Sequence, residues 1–291
     1  MRCGVEPEIV ADFACLTGEG PLWHPLEQRL YWVDIPAGKL FRWDPAAGQS
    51  ETCIDGGDPI GGFTVQPDGA LLLFMARGAI KLWQGGRLTT VVDEIPEERD
   101  SRFNDVIADP AGRVFCGTMP AGGRQGRLYR LDTDGTLTRV LDDAGLSNGM
   151  AFSPDRTRFF HTDSARRLIR QFDFDEASGA ITNPRVLAEV PEADGVPDGL
   201  TVDAEGYLWS ARWDGSCLVR YAPDGAEDRR ITFPAKKVSS ATFGGPSYDE
   251  LYATTAGGNN KAEEGAGAGA LFRLRPGVRG IPELFSRVHS R

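Results

Sequence analysis

The sequence has few of the residues that mark secreted, zinc-binding or membrane proteins. Its 291 residues include five scattered cysteines without a C-x-x-C pair, and three histidines. An odd, scattered set of cysteines argues against a disulfide framework, so we expect free thiols in a reducing compartment. No apolar run approaches the roughly 20 residues of a membrane span, and no signal-peptide core follows the first residues. These features predict a cytoplasmic protein.

Basic residues are outnumbered by acidic ones. The chain has 32 Lys and Arg against 42 Asp and Glu, for a net charge of −10, and no basic stripe. Such a surface is repelled by nucleic acid and by anionic lipid. We therefore expect neither as a partner. No interface patch stands out, which favours a monomer or a weak homo-oligomer.

What the sequence does contain is a repeat. A small or polar residue, a short apolar strand, a turn and a second strand recur six times. The residues that mark the turn are Pro25, Pro67, Pro110, Pro154, Ala204 and Pro246, at steps of 42, 43, 44, 50 and 42 residues. A period in this range with several short strands per repeat is typical of a β-propeller. We predict an all-β fold, a six-bladed propeller that forms a single domain over residues 1–291.

The ends of the chain predict how the ring closes. The first repeat begins at residue 19, so the apolar segment 8–15 is left over as one strand. We expect it to pair with the blade built from residues 240–285, which closes the propeller across the termini and removes a sheet edge.

One position of the repeat collects oxygen-bearing side chains. It lies six residues before each turn marker and holds Glu19, Gly61, Asn104, Asn148, Asp198 and Ser240. Because the first strand of each blade lines the channel, these residues should converge on the axis. Two carboxylates and two amides around one point suit a divalent cation. The open alternative is a water-filled channel with structural calcium.

Arg102 is placed to join this ring. It precedes Asn104 by two residues and so lies on the same side of an extended chain. A guanidinium there could hold a substrate hydroxyl or carboxylate. The alternative is a surface salt bridge.

Several motifs resemble one known family. They are T-G-E-G-P-L-W at 17–23, R-F-N-D at 102–105, S-N-G at 147–149, P-D-G-L-x-V-D-x-E-G-x-L-W at 197–209 and F-G-G at 243–245. Together they resemble the regucalcin (senescence marker protein)/gluconolactonase family over nearly the whole chain. The resemblance implies a six-bladed propeller that binds one divalent cation on its axis (calcium, zinc, manganese or iron(II)) and hydrolyses sugar-acid lactones.

The same resemblance implies roles for individual residues. The metal ligands of the family fall on Glu19, Asn148 and Asp198, and its substrate-binding pair falls on Arg102 and Asn104. Asp198 is also our candidate general base. The sequence departs from the family after G-T-M, where a substrate-contacting glutamate is replaced by Pro120-Ala121-Gly122.

Other readings of the sequence remain alternatives. Gly145-Leu-Ser-Asn-Gly149 matches G-x-S-x-G, but a nucleophile elbow needs a helix after the turn, and here a strand is predicted. His24, His161 and His289 lie off the ring without zinc-ligand spacing. In place of a lactonase, the chain could be a calcium-dependent phosphotriesterase-like hydrolase or a non-catalytic calcium-binding propeller.

Overall fold

The computed structural model describes residues 6–289 and confirms the six-bladed β-propeller. The described chain forms six antiparallel sheets of four strands each. In chain order the strands are β1 (Glu8–Asp12), β2 (Gly18–His24), β3 (Arg29–Asp34), β4 (Lys39–Asp44), β5 (Gln49–Asp55), β6 (Ile60–Val65), β7 (Leu71–Met75), β8 (Ile80–Gln84), β9 (Arg87–Val92), β10 (Phe103–Ala108), β11 (Val114–Thr118), β12 (Gly126–Leu131), β13 (Leu137–Gly145), β14 (Ser147–Phe152), β15 (Arg158–Asp163), β16 (Leu168–Asp175), β17 (Ala180–Glu189), β18 (Val196–Val202), β19 (Leu208–Trp213), β20 (Cys217–Tyr221), β21 (Glu227–Thr232), β22 (Val238–Gly244), β23 (Glu250–Thr255) and β24 (Ala270–Leu274).

Helical structure is confined to the connections. The described part of the chain has three 3₁₀ turns, Pro96–Glu98, Glu192–Asp194 and Gly258–Asn260, and one short helix, α1 (Lys261–Glu264). No helix among residues 6–289 is long and apolar enough to cross a membrane.

The first strand of the chain completes the last blade, as predicted. The order in that sheet is β1-β24-β23-β22, and Glu8 pairs with Arg273 while Asp12 pairs with Ala270. The strand is shorter than the predicted 8–15, because the chain turns at Ala14, whose φ is +51°. The ring is therefore closed by hydrogen bonds between the two ends of the chain.

Each blade buries both faces of its inner strands between its neighbours. Every residue of β6 and β14 is buried, whereas the outer strand β5 is largely exposed. A representative core lies between the first two blades and contains Tyr31, Val33, Phe63, Leu71 and Leu73. Full burial of an aliphatic or aromatic side chain contributes about 1.5–3 kcal/mol, so these inter-blade layers hold the ring together.

The segment after β24 crosses one end of the central channel. Its backbone is fixed by the Ser286 N–H, which donates to the Val65 carbonyl at 2.9 Å, and by Gln66 Nε2, which donates to the Val288 carbonyl at 2.9 Å. On the way it places Glu283 against Thr242, whose Oγ1 donates to the Glu283 carboxylate at 3.0 Å.

Candidate functional site

The inner strands share a local irregularity that shapes the axis. In each of the six blades the pairing between the first and second strand shifts at or beside the ring position. These breaks lie at Glu19/Leu22, Ile60/Gly62, Phe103/Val106, Ser147/Met150, Pro197/Leu200 and Val238/Ser240. An extra residue in one strand interrupts the strict in-and-out alternation and re-aims side chains. Every blade therefore has a bulge at or beside the ring position.

The channel holds a polar cavity of about 340 Å³ opposite the C-terminal segment. Its lining includes all five residues that the sequence predicted for the site: Glu19, Arg102, Asn104, Asn148 and Asp198. Two other ring positions lie outside it. Gly61 packs against the chain, where a Cβ would lie 2.0 Å from the Phe103 carbonyl oxygen. Ser240 lines a second cavity of about 100 Å³ nearer the C-terminal segment.

Arg102 and Asn104 form one hydrogen-bonded unit. Arg102 Nη1 donates to Asn104 Oδ1 at 2.7 Å and to the Phe103 carbonyl at 2.9 Å. The Asn104 amide nitrogen in turn donates to the Ser147 carbonyl at 3.0 Å. The pairing fixes which end of the Asn104 amide faces the arginine. The structure thus brings together the two residues predicted to bind substrate.

Asn148 has one satisfied and one unsatisfied end. Its Nδ2 donates to Ser164 Oγ at 3.1 Å, and that hydroxyl donates to the Pro197 carbonyl at 2.6 Å. Its Oδ1 is buried and has no hydrogen-bond partner within residues 6–289. Buried polar atoms are rarely left unpaired, so an unpartnered oxygen on the axis marks a place for a ligand.

The carboxylates of the site are costly to ionise in the protein alone. Burial, followed by repulsion from Asp198 and Asp105, raises the pKa of Glu19 well above its usual range. The Gly20 N–H, which donates to Glu19 at 2.8 Å, and Arg102 lower this pKa but do not offset the rise. Burial and then repulsion from Asp105 raise the pKa of Asp198 in the same way, although Asn148 and Arg102 lower it. Burial lowers the pKa of Arg102, although the three carboxylates work in the opposite direction.

Asp105 is a site residue that the sequence reasoning missed. Strict alternation would turn it away from the axis when its neighbour Asn104 faces the axis. The bulge between Phe103 and Val106 instead lets both residues face the channel, with Asn104 in the polar cavity and Asp105 in the second cavity. Burial raises the pKa of Asp105 to about 7, opposed by Arg102, and its Oδ1 has no partner in the described chain. The last letter of R-F-N-D was the available signal.

The residues present fit a divalent cation. In their ionised form, the three carboxylates and the one guanidinium have a net charge of −2, which one divalent ion would neutralise. Oxygen donors of this kind are the ligands that hard cations prefer. No group of three His, Cys, Asp or Glu side chains in the described chain is arranged to hold a metal. The candidate set instead combines the carboxylates of Glu19 and Asp198 with the unpartnered amide oxygen of Asn148.

Beside the site lies a buried serine–histidine pair. Ser147 Oγ lies 2.8 Å from His161 Nε2, and both side chains are fully buried. Burial lowers the pKa of His161 to about 4, so the imidazole is neutral. A Cβ on Gly117 would lie 2.0 Å from Ser147 Oγ, so the backbone of the preceding blade covers the hydroxyl. A strand follows Ser147, and the geometry gives no access for a nucleophile.

The loop after G-T-M begins at the cavity and then folds away from it. Met119 lines the cavity, and its N–H donates to the Arg102 carbonyl at 3.0 Å. Further on, Arg124 pairs with the Glu98 carboxylate at 2.7 Å and with Asp100 at 3.3 Å. Pro120, Ala121 and Gly122 stand where the family resemblance implied a carboxylate, and they do not line the cavity.

Comparison with known proteins agrees with this architecture. A family profile described as "SMP-30/Gluconolactonase/LRE-like region" matches residues 17–257. The chain is 48% identical to pentonolactonase XacC of Haloferax volcanii over 289 residues (96% of this chain, 97% of the relative) and 34% identical to regucalcin of Gallus gallus over 292 residues (96% and 97%). The crystal structure of a calcium-binding protein, regucalcin from Agrobacterium tumefaciens, superposes with a TM-score of 0.90 at 24% identity and covers 98% of each chain. The resemblance drawn from the sequence motifs is thereby confirmed, and the chain belongs to the SMP-30/gluconolactonase family.

Proposed function

We propose that this protein is a hydrolase that opens sugar-acid lactones to aldonic acids with the help of one divalent cation. The observation that carries the proposal is the convergence of Glu19, Asn148 and Asp198 with the Arg102–Asn104 pair in one cavity of about 340 Å³. Membership of the family and 48% identity to a pentonolactonase support the substrate class.

Glu19, Asn148 and Asp198 are the residues that would hold the cation. When bound, a divalent cation supplies Lewis-acid polarisation of a carbonyl and acidifies water. The unpartnered Oδ1 of Asn148 and the two buried carboxylates support this ligand set. The proposed ion is calcium, zinc, manganese or iron(II).

The other steps are assigned to side chains of this chain. Asp198 accepts the proton of the attacking water as the new C–O bond forms at the lactone carbonyl carbon. It then returns that proton to the ring oxygen as the ring C–O bond breaks, which leaves a carboxylic acid and a free hydroxyl. Arg102 and Asn104 orient the sugar hydroxyls, because their own hydrogen bond fixes the direction of each group.

We propose that residues 1–291 form one domain, that the protein is a monomer or a weak homo-oligomer in the cytoplasm, and that it binds neither nucleic acid nor membranes. The net charge of −10 supports the last point, because both surfaces are themselves negative.

The test is metal-restored turnover. The protein is stripped with chelator and assayed on glucono-, xylono-, arabino- and galactonolactone while each cation is added back, with spontaneous hydrolysis subtracted. We expect one cation to restore turnover, and Asp198→Asn to lose at least about 10²-fold in kcat, in line with the loss of a positioned base. Asp224→Asn, at an exposed turn of the same blade, is the matched control and should keep full activity.

Two outcomes would overturn the proposal. One is full activity in a metal-free protein or in a folded Asp198→Asn variant. The other is failure to open any lactone with any cation. Hydrolysis of an organophosphate would then favour the phosphotriesterase alternative, and tight binding of one cation without turnover would favour a calcium-binding propeller.

A further inference from the structure

The cavity has a polar floor and a largely apolar rim. The floor residues Glu19, Asn104, Asn148 and Asp198 lie inside the inner strands. The rim comes from positions where inner strands begin and second strands end, which coincide at one end of an antiparallel blade. The rim residues that line the cavity are Thr17, Ile35, Arg102, Met119, Leu146, Ser164, Val196 and Trp213.

Trp213 is the largest side chain of this rim, and its position is fixed from two sides. It ends β19 and pairs with Val196, two residues before Asp198 on β18. Lys237 Nζ lies 5.6 Å from the centre of the indole ring, in cation–π contact. Lys237 is itself held by an ion pair with Glu264. The half-exposed ring also lines the cavity beside the candidate general base.

Arg102, which lines the cavity, and Lys237, which contacts Trp213, both face acidic groups. Among the described residues that line the cavity, Arg102 is the one cation, and it faces Glu19, Asp105 and Asp198. Lys237, behind the indole, is paired with Glu264 and lies 3.6 Å from Asp214. A negatively charged substituent at the rim would therefore lose its water without gaining a counter-ion, and such burial is strongly unfavourable.

We propose that Trp213 is a specificity-determining residue that contacts the carbon face of the lactone, and that the rim selects neutral sugar lactones over those with an anionic tail. The inference rests on the proposed function and refines it. The floor binds the carbonyl and hydroxyl edge of the sugar, while the apolar face of the ring packs on the indole, the usual division of labour in a small-molecule site. The acidic groups around Arg102 and Lys237 also favour release of the anionic aldonate product.

The first test uses two lactones that differ at one carbon. Glucono-1,4-lactone carries a hydroxymethyl group where glucaro-1,4-lactone carries a carboxylate. The metal-loaded wild-type protein should open the neutral lactone with a kcat/KM at least about 10²-fold higher than that for the anionic one. This comparison needs no variant and so does not depend on how a variant folds.

The second test uses variants of the rim. Trp213→Leu should raise KM for glucono-1,4-lactone by about tenfold with a smaller change in kcat, the pattern of a contact made equally in the ground and transition states. Trp213→Phe, which keeps an aromatic face, should stay within about threefold of wild type. Met119→Lys, which adds a cation to the rim, should narrow the gap between the neutral and the anionic lactone.

The outcomes separate this inference from the proposed function. If neither lactone is opened with any cation, the proposed function fails and the inference fails with it. If the wild-type protein opens both lactones equally well, lactone hydrolysis stands and the charge selection is overturned. If Trp213→Leu leaves KM unchanged, or if Trp213→Phe raises KM as much as Trp213→Leu does, the assigned contact is overturned.

Discussion

Replacement of Asp105 by asparagine should stabilise the metal-free protein. In the protein, burial raises the pKa of Asp105 to about 7, and Oδ1 has no hydrogen-bond partner in the described chain. In the unfolded chain the same carboxyl has its ordinary pKa of 3.8. Between these values the native state holds a proton that the unfolded state has released, so the free energy of unfolding falls as the pH rises. Above pH 7 the native protein carries a buried charge that it disfavours.

The size of the effect follows from the two pKa values. A difference of one pKa unit corresponds to 1.36 kcal/mol, so the interval from 3.8 to about 7 corresponds to about 4 kcal/mol. At pH 5 the free energy of unfolding has already fallen by about 2 kcal/mol, because Asp105 is ionised there in the unfolded state but not in the native state. Asp105→Asn, which cannot ionise, should therefore gain about 2 kcal/mol at pH 5 and about 4 kcal/mol at pH 8. For a chain of this size the gain at pH 8 corresponds to a rise on the order of 10 °C in the melting temperature.

The assay is thermal unfolding of chelated protein at pH 5 and pH 8, before and after addition of a divalent cation. The variant should gain less from the cation than the wild type does, because its site carries a net charge of −1 rather than −2. Asp194→Asn is the control of opposite sign, because the hydrogen bond from Arg230 at 2.5 Å lowers the pKa of that carboxyl, so its neutralisation should lower stability at both pH values. A lower melting temperature for metal-free Asp105→Asn at pH 8, or a gain that does not grow with pH, would refute the reasoning.

Two further predictions test the buried surroundings of the site. Ser147→Ala should keep turnover within about tenfold of wild type. It should lower stability by about 1–3 kcal/mol, because His161 Nε2 loses its 2.8 Å partner in a buried position. Loss of lactone hydrolysis in a variant that circular dichroism shows to be folded would support the nucleophile hypothesis instead. Gly61→Ala should lower the melting temperature markedly, since its Cβ would lie 2.0 Å from the Phe103 carbonyl oxygen; an unchanged melting temperature would show that the two inner strands can separate there.

Much of the site was predictable because the fold is a repeat. A fixed period places equivalent residues at equivalent depths, so Glu19, Asn148 and Asp198 could be assigned to the axis by counting back from each turn. Arg102 could be placed beside Asn104 because alternate residues of an extended chain share a side, and the two are joined at 2.7 Å.

The same counting failed where the backbone departs from strict alternation. The bulge in β10 brings Asp105 to the channel together with its neighbour Asn104, and no rule of period two predicts two consecutive residues facing one axis. Trp213, which we propose contacts the substrate, was missed for a different reason. It lies at the end of a second strand rather than on the inner strand, and its place at the cavity depends on pairing with Val196.

The sequence by itself therefore determined the number of blades, the closure of the ring by the first strand and the identity of the oxygen-bearing ring. All three follow from periodicity, which is a property of the chain order. Only the tertiary structure decided which side chains share the polar cavity, which way the loop after Met119 folds, and how far burial shifts the pKa of each carboxyl. These depend on distances between blades and on the exclusion of water, quantities that arise only once the six sheets are packed against one another.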